Sequence, residues 1–393
     1  MAVSLKMAAF MEKSSWIRKM FEEGAKLKAE HGPENVYDFS LGNPNVAPPE
    51  DFSNILKETV ESLRPADHAY MPNAGYPPVR MSVAQYVSTE QKVDIMAEDI
   101  IMTCGAAGAL NVIIKTILNP GEEIITPAPF FVEYIFYADN HGGVLKTVPT
   151  NTDFTLNLDA ISEAVTEKTR AILINSPNNP TGQIYSRKSL QDLGAVLKEK
   201  TKKFKHIIYL ISDEPYRKIV YDGYDVPSIF PFYPETILAT SYSKDLSIPG
   251  ERIGFIAVNP AATYKRELLA GMTMANRILG FVNAPALMQR VVAKLQGFTV
   301  DISEYARKRE LLCDGLKSCG YRFIKPPGAF YLFPQSPIPD DVSFVRALQQ
   351  ELILTVPGTG FGGPGHFRIS YCVDDDTIVQ AMPGFKKVMN QFN

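Results

Sequence analysis

The chain has 393 residues, 45% hydrophobic and 21% charged, with a formal net charge of −3. That is the composition of a globular protein with material for a large core, and the absence of a basic block argues against nucleic acid as a partner. No apolar run reaches the ~18 residues of a membrane span, and Lys6, Glu12 and Lys13 leave too short an apolar stretch for a signal peptide.

Residues up to about 29 have the spacing of an amphipathic helix, with Ile17, Met20, Phe21 and Ala25 on one side. An extended, proline-rich stretch follows over 37–49. From about residue 51 short apolar runs alternate with longer helical patterns. Strands are expected at 100–103, 123–126, 170–175, 207–212, 237–240 and 254–258, with helices at 109–118 and 189–200. Strands separated by helices imply crossover units in a mostly parallel sheet, and several of these runs are apolar throughout, as strands buried on both faces are. After about residue 283 the pattern changes. A long helix is expected over 286–298, continuing towards 312, followed by short strands at 321–324, 330–333 and 367–371. The expected division is an N-terminal arm with part of a small domain (1–49), a large α/β domain (50–284) and a small α+β domain (285–393). The four cysteines, Cys104, Cys313, Cys319 and Cys372, form no C-x-x-C pair. They suggest neither a metal site nor a disulfide framework, and fit reduced thiols in a cytoplasmic protein.

In open parallel sheets ligands bind beyond the carboxyl ends of the strands. The unusual polar residues of this chain fall there. After 100–103 comes Cys104-Gly105-Ala106-Ala107-Gly108, small enough to bring backbone N–H groups to a phosphate at a helix start, or an ordinary tight turn. After 170–175 comes a proline-stiffened loop containing Asn179-Pro180-Thr181-Gly182. After 207–212 come Asp213 and Tyr216. A buried aspartate needs a partner, which a protonated ring nitrogen would supply; a helix cap is the plainer reading. After 237–240 comes Ser241-Tyr242-Ser243-Lys244, with Arg252 further on. A free lysine is almost wholly ammonium at neutral pH, and attacks carbonyls only where burial or a neighbouring cation lowers its pKa. Ser241, Ser243 and Arg252 would suit a phosphate; a surface lysine beside a serine-rich turn is the alternative.

The ordered set S-x-S-K-x(7)-R-x-G, D-x-x-Y, N-P-T-G, P-x-G-A-F-Y and F-R-I-S closely resembles the class I and II aminotransferases, which use pyridoxal 5'-phosphate. The resemblance covers nearly the whole chain. It implies fold type I, a mostly parallel seven-stranded sheet flanked by helices with a smaller α+β domain. It implies that Lys244 is the lysine that joins the cofactor as an internal aldimine and later shuttles a proton. Asp213 would partner the pyridine nitrogen, and Tyr216 and Asn179 the 3'-oxygen. Gly105, Ala106, Ala107, Ser241, Ser243 and Arg252 would form the phosphate cup, and Tyr70 would reach it from the other subunit of a homodimer. Phe131 would stack on the ring, with Phe130 as the alternative. Arg368 would clamp the substrate α-carboxylate, joined by the backbone of Gly42. No metal is implied.

Two departures stand out. Ala106-Ala107 replaces hydroxyl or lysine side chains common at the phosphate turn, and Phe131 stands where aspartate-specific relatives have tryptophan. Arg277 is near the region of a second substrate arginine, but no motif aligns it. The expected activity is transfer of an amino group between an L-amino acid and a 2-oxo acid by ping-pong chemistry. A β-C–S lyase on the same scaffold, or a non-catalytic cofactor-binding regulator, are the alternatives.

Overall fold

The computed structural model describes residues 2–12 and 16–392. Its centre is a seven-stranded sheet in the order Ile100–Thr103, Gly254–Val258, Thr236–Ser241, Tyr209–Asp213, Thr169–Asn175, Glu123–Ala128, Val144–Pro149. All neighbours are parallel except Gly254–Val258, which runs antiparallel to both of its own. The inner strands are buried on both faces, as their unbroken apolar runs require. Ile100, Met102, Ile172, Ile174, Leu210, Leu238, Phe255 and Ala257 enter one core. Their alternates Ile101, Ala171, Leu173, Ile211, Ile237, Ala239, Ile256 and Val258 enter the other. Helices Pro77–Gln91 and Arg187–Phe204 cover the first face, and Gly105–Ile117 and Lys265–Ile278 the second.

Parallel register brings the carboxyl ends of the strands to one edge. Asn175 pairs with Asp213, Asp213 with Ala239, and Ser241 with Gly254, which also faces Thr103. The chemistry-bearing loops all leave from this edge.

A third core, largely from residues beyond 300, includes Met20 and Phe39 from the N-terminal arm and Tyr216, Ile219 and Tyr221 from the loop after Tyr209–Asp213. It contains helices Ile302–Ser318, Asp341–Gln350 and Asp375–Gln391 and two small sheets. In one, Tyr37–Asp38 pairs in parallel with Ile353–Leu354. In the other, Phe367–Ser370 lies between Val356–Pro357 and Tyr331–Leu332, antiparallel to both.

Several expectations change. The opening helix is two helices, Leu5–Glu12 and Trp16–His31; Met20 is buried but Ala25 is exposed, and the side chains of Ile17 and Phe21, like residue Lys13, lie outside those described. The helix expected over 286–298 ends at Lys294. Gly297 turns with φ 88°, and Asp301 caps a separate helix through Ser303 N. The helix Ala286–Lys294 also belongs with the large core, where Met288, Val291 and Val292 pack beside Val79 and Val83. A boundary at residue 285 therefore separates it from its packing partners. Residues 321–324 form no strand: Tyr321 is buried among Phe344, Phe367 and Phe385 and donates to the Phe385 carbonyl. The strand Val144–Pro149 escaped the sequence pattern because it lies at the sheet edge, half-exposed and ending in proline. Among the described residues no helix is long and apolar enough to cross a membrane.

Candidate active site

Lys244 lies three residues beyond the strand Thr236–Ser241, in a turn tied back by Tyr242 N to Ile253 O and to the arm by Ser247 Oγ to Val46 O. It lines a cavity of about 250 Å³ with Ser241, Ser243, Arg252, Asp213, Tyr216, Asn179 and Arg368. Its Nζ donates to the Gly42 carbonyl at 2.8 Å and sits 5.6 Å from the Phe330 ring centre. Desolvation pushes its pKa down to about 8; Cys372 opposes this, and the Arg368 and Arg252 cations add to it. A minority of this amine is thus neutral near physiological pH, far more than of a free lysine, and the neutral form is what a carbonyl nucleophile requires.

Asp213 ends its strand and is buried. Asn175 Nδ2 holds its backbone carbonyl at 2.8 Å, and Tyr134 Oη donates to its Oδ2 at 2.6 Å. Its Oδ1 is buried with no partner among the described residues. Burial raises the Asp213 pKa to about 7, against the lowering effect of Tyr134. A carboxylate oxygen of this kind fits a cationic N–H donor, which would return the group to its ionised form. Tyr216 is also buried, with its hydroxyl 2.8 Å from that of Tyr331.

Ala106, Ala107, Ser241, Ser243 and Arg252 line the cavity together. Gly105 opens the helix Gly105–Ile117 with φ 74°, so the turn demands glycine, and Ala106 and Ala107 in its first turn line the cavity. Arg252 takes the left-handed conformation at φ 51° and donates through Nη1 to Pro249 O at 2.9 Å. A methyl group on Gly105 would come within 2.9 Å of Arg252 Nη2, so the two pack directly together. Lys244, Arg252 and Arg368 face this cavity with one carboxylate, Asp213. The excess positive charge suits a phosphate and a carboxylate ligand.

Arg368 is 2% exposed, yet among the described residues it meets only neutral acceptors: Asn179 Oδ1 at 3.0 Å and Ser40 O at 2.6 Å. Its Nε is buried and unpartnered. Its guanidinium lies over the Tyr331 and Phe361 rings, at 4.8 and 4.7 Å from their centres. A buried guanidinium without an anion is a strong demand for one. The chain of 40–42 links it to Lys244, since Ser40 O takes the arginine and Gly42 O the lysine. Close approach explains the glycine: a methyl there would collide with the Tyr331 hydroxyl.

The fold thus brings Gly42, Ala106, Ala107, Phe131, Asn179, Asp213, Tyr216, Ser241, Ser243, Lys244, Arg252 and Arg368 to one cavity, with Gly105 against Arg252 behind it. Of the two phenylalanines, Phe131 lines the cavity while Phe130 is buried in the core. Tyr70 stands apart, 92% exposed. Arg277 also stands apart, at the exposed end of Lys265–Ile278 in a separate groove with Arg80 and Glu98. The motifs gave no role to Tyr134, Asn175 or Tyr137. The first two hold Asp213, and Tyr137 lines the cavity. The clue available was their place: Asn175 ends a strand and Tyr134 follows Phe131 by three residues.

The family described as aminotransferase class I and II matches residues 34–383. The chain belongs to that family, whose enzymes depend on pyridoxal 5'-phosphate. It is 30% identical to a probable aspartate aminotransferase of Methanocaldococcus jannaschii, over 89% of this chain and 92% of that one. It is also 30% identical to aromatic-amino-acid aminotransferase 2 of Thermococcus litoralis, over 97% of each. A crystal structure of an aminotransferase from Eubacterium rectale superposes over 100% of both chains with a TM-score of 0.96 and 40% identity. The aspartate aminotransferase of Thermus thermophilus with maleate superposes over 99% of this chain and 100% of that one, with a TM-score of 0.86 and 26% identity. This protein is a pyridoxal phosphate-dependent aminotransferase by membership of that family.

Proposed function

We propose that the cavity around Lys244 is the transamination site, and that an L-amino acid and a 2-oxo acid use it in turn. The observation that carries this reading is the lysine itself: an amine with its pKa pushed down to about 8 in the same cavity as an acid with an unpartnered oxygen. The residues fit the cofactor. Asp213 would face the ring nitrogen, Tyr216 and Asn179 the ring oxygen, and Phe131 a ring face. Gly105, Ala106, Ala107, Ser241, Ser243 and Arg252 would hold the phosphate. When bound, pyridoxal phosphate supplies an aldehyde that takes up the amino group and a ring that withdraws electrons from the substrate Cα.

The chain's own groups do the rest. Lys244, neutral in part at physiological pH, would hold the cofactor through its aldehyde with loss of water, and its amine, once released, would take the proton from the substrate Cα as a general base. Asp213 would stay ionised with a cationic donor on its Oδ1, and would so favour a protonated ring nitrogen. Arg368 binds the substrate α-carboxylate through its fork, and the Asn179 amide, fixed by Arg368 on its oxygen, keeps its N–H groups free to donate. The Gly42 carbonyl, from the arm, holds the lysine amine in place.

The substrate range we infer includes aspartate and aromatic amino acids, from the names of the relatives and from the leucine, phenylalanine and tyrosine lining beside Arg368. The exposed Tyr70 supports a homodimer in which it acts in trans. Four unpaired cysteines support work in the reducing cytoplasm.

The test is spectroscopic. Wild-type protein loaded with pyridoxal phosphate should show a visible band that each accepted amino acid bleaches, with release of its 2-oxo acid. Lys244→Ala should lose that band and at least about 10³-fold in turnover. Retention of both by the variant would remove Lys244 from the chemistry.

A further inference from the structure

Tyr331 ends the P-x-G-A-F-Y segment, and that motif assigns it no role. Its position gives it one. Its ring lies under the Arg368 guanidinium at 4.8 Å, and its hydroxyl is 2.8 Å from the Tyr216 hydroxyl. The two tyrosine rings meet edge to face at 5.6 Å and 83°, and both side chains are buried at the cavity wall. A phenol has one proton. If Tyr216 spends its proton on the ring oxygen of the cofactor, its oxygen can only accept from Tyr331. The hydrogen bonds then run in one direction, from Tyr331 to Tyr216 to the cofactor.

We propose that Tyr331 is a positioning residue that couples substrate-carboxylate binding at Arg368 to the Tyr216 hydroxyl, and through it to the protonation of the nitrogen joining Lys244 to the cofactor. This rests on the site assignment of the preceding subsection. The physical argument has two steps. A guanidinium over a phenol ring stabilises the phenolate and makes the hydroxyl a stronger donor, and successive hydrogen bonds strengthen one another. A carboxylate on Arg368 cancels that field. Tyr331 then donates less strongly, Tyr216 withdraws less charge from the ring oxygen, and the linking nitrogen holds its proton to higher pH.

The surroundings agree. Burial raises the Tyr331 pKa to about 12, with Arg368 and Tyr216 lowering it and Cys372 raising it. Tyr216 is raised too, through burial and Tyr331, with Arg368 acting in the lowering sense and Asp213 in the raising one. Lys244 is the remaining charge close by, over the adjacent Phe330 ring. Gly42 leaves room for the arrangement, because any side chain there would displace the Tyr331 hydroxyl.

The experiment is a pH titration of the visible band of the pyridoxal phosphate-loaded protein, alone and with a saturating carboxylate that carries no amino group, maleate and 3-phenylpropionate in turn. In the wild type at least one carboxylate should raise the midpoint. Tyr331→Phe keeps the ring under Arg368 and removes only the hydroxyl. It should raise the midpoint of the free enzyme by roughly half a pH unit and shrink the carboxylate-induced shift to less than half. In a Tyr216→Phe background the same substitution should do nothing further, which a purely structural role for Tyr331 would not produce. A wild-type midpoint that neither carboxylate moves, or a Tyr331→Phe protein that titrates like the wild type in both conditions, overturns the coupling. Lys244→Ala separates the two levels. If it keeps the band, the site assignment fails. If it loses the band while Tyr331→Phe behaves as wild type, only the coupling fails.

Discussion

The two ends of the cavity solve opposite electrostatic problems with the same device. At the large-sheet end, Asp213 is a buried acid whose carboxylate takes one neutral donor, Tyr134, while Asn175 holds its backbone carbonyl and the other carboxylate oxygen has no partner among the described residues. At the other end, Arg368 is a buried base supported by neutral acceptors from Asn179 and Ser40, with one N–H unpartnered. Neither group has an ion-pair partner among the described residues. Pairing the two with each other would be simple and would destroy the site, so Asn179, Tyr216 and Tyr331 stand in the wall with them. Folding has placed an acid that calls for a cation and a base that calls for an anion in one cavity, with Lys244 among them.

The comparison breaks most visibly at the acid. Asp213→Asn keeps the shape and the Tyr134 contact but removes the charge. Turnover should fall on the order of 10²–10³-fold, while the dissociation constant of maleate, or of whichever carboxylate binds, stays within a factor of about two. A comparable loss of carboxylate affinity would show that the two ends do not act separately. The base end should respond in the other parameter. Arg368→Lys keeps a positive charge but loses the fork. KM for the amino acid should rise roughly 10–100-fold, with affinity for pyridoxal phosphate little changed. An unaltered KM would place the substrate carboxylate elsewhere.

The cofactor-free protein offers a sharper contrast, because its two perturbed groups give pH slopes of opposite sign. The Asp213 pKa is raised from its ordinary 3.8 to about 7. Its stabilising share is therefore complete below about pH 4 and is lost as pH rises through 7. Asp213→Asn should be more stable than the wild type above pH 7, and the gap should close towards pH 4. The Lys244 pKa is lowered from 10.5 to about 8. Its share is complete above about pH 10.5 and is lost as pH falls through 8. Lys244→Met should be more stable than the wild type below pH 8, with the gap closing towards pH 10. Urea unfolding across pH 4–10 measures both. Parallel slopes for the two variants would contradict the assignment of opposite environments.

The large sheet and the residues at its edge were legible because each lies in a short contiguous pattern. Apolar runs such as 170–175 and 254–258 can only be buried strands in this setting; Asp213 follows such a run directly, and Lys244 comes three residues after the strand Thr236–Ser241. What the sequence hid is pairing across distance. Nothing local says that Tyr134 will meet Asp213, 79 residues away, or Tyr331 meet Tyr216, 115 away. Those contacts depend on how helix Glu133–Asn140 and the small sheet dock on the large one. The smaller part was harder to read because its strands are two to four residues long, too short for a period to show. Tyr321 illustrates the error: it sits in an aromatic cluster, which supplies the apolar signal of a strand without a partner to pair with.

The smallest expected effect concerns Tyr70, which neither end of the cavity holds. It is almost fully exposed in one chain, whereas a phosphate ligand would need it nearby. Tyr70→Ala should weaken pyridoxal phosphate binding by roughly tenfold, the scale of one hydrogen bond to a charged group. Hybrid dimers tell whether it acts on its own cavity or its neighbour's. Lys244→Ala subunits mixed with Tyr70→Ala subunits give hybrids with one intact Lys244. If Tyr70 works in trans, that lysine receives an intact tyrosine from the other chain, and the hybrid regains a site with wild-type cofactor affinity. The second site carries both defects and stays silent. If Tyr70 works within its own chain, the only site with a lysine lacks its tyrosine, and affinity stays tenfold low. Cofactor titration of the hybrid, separated by differential tags, decides between the two arrangements.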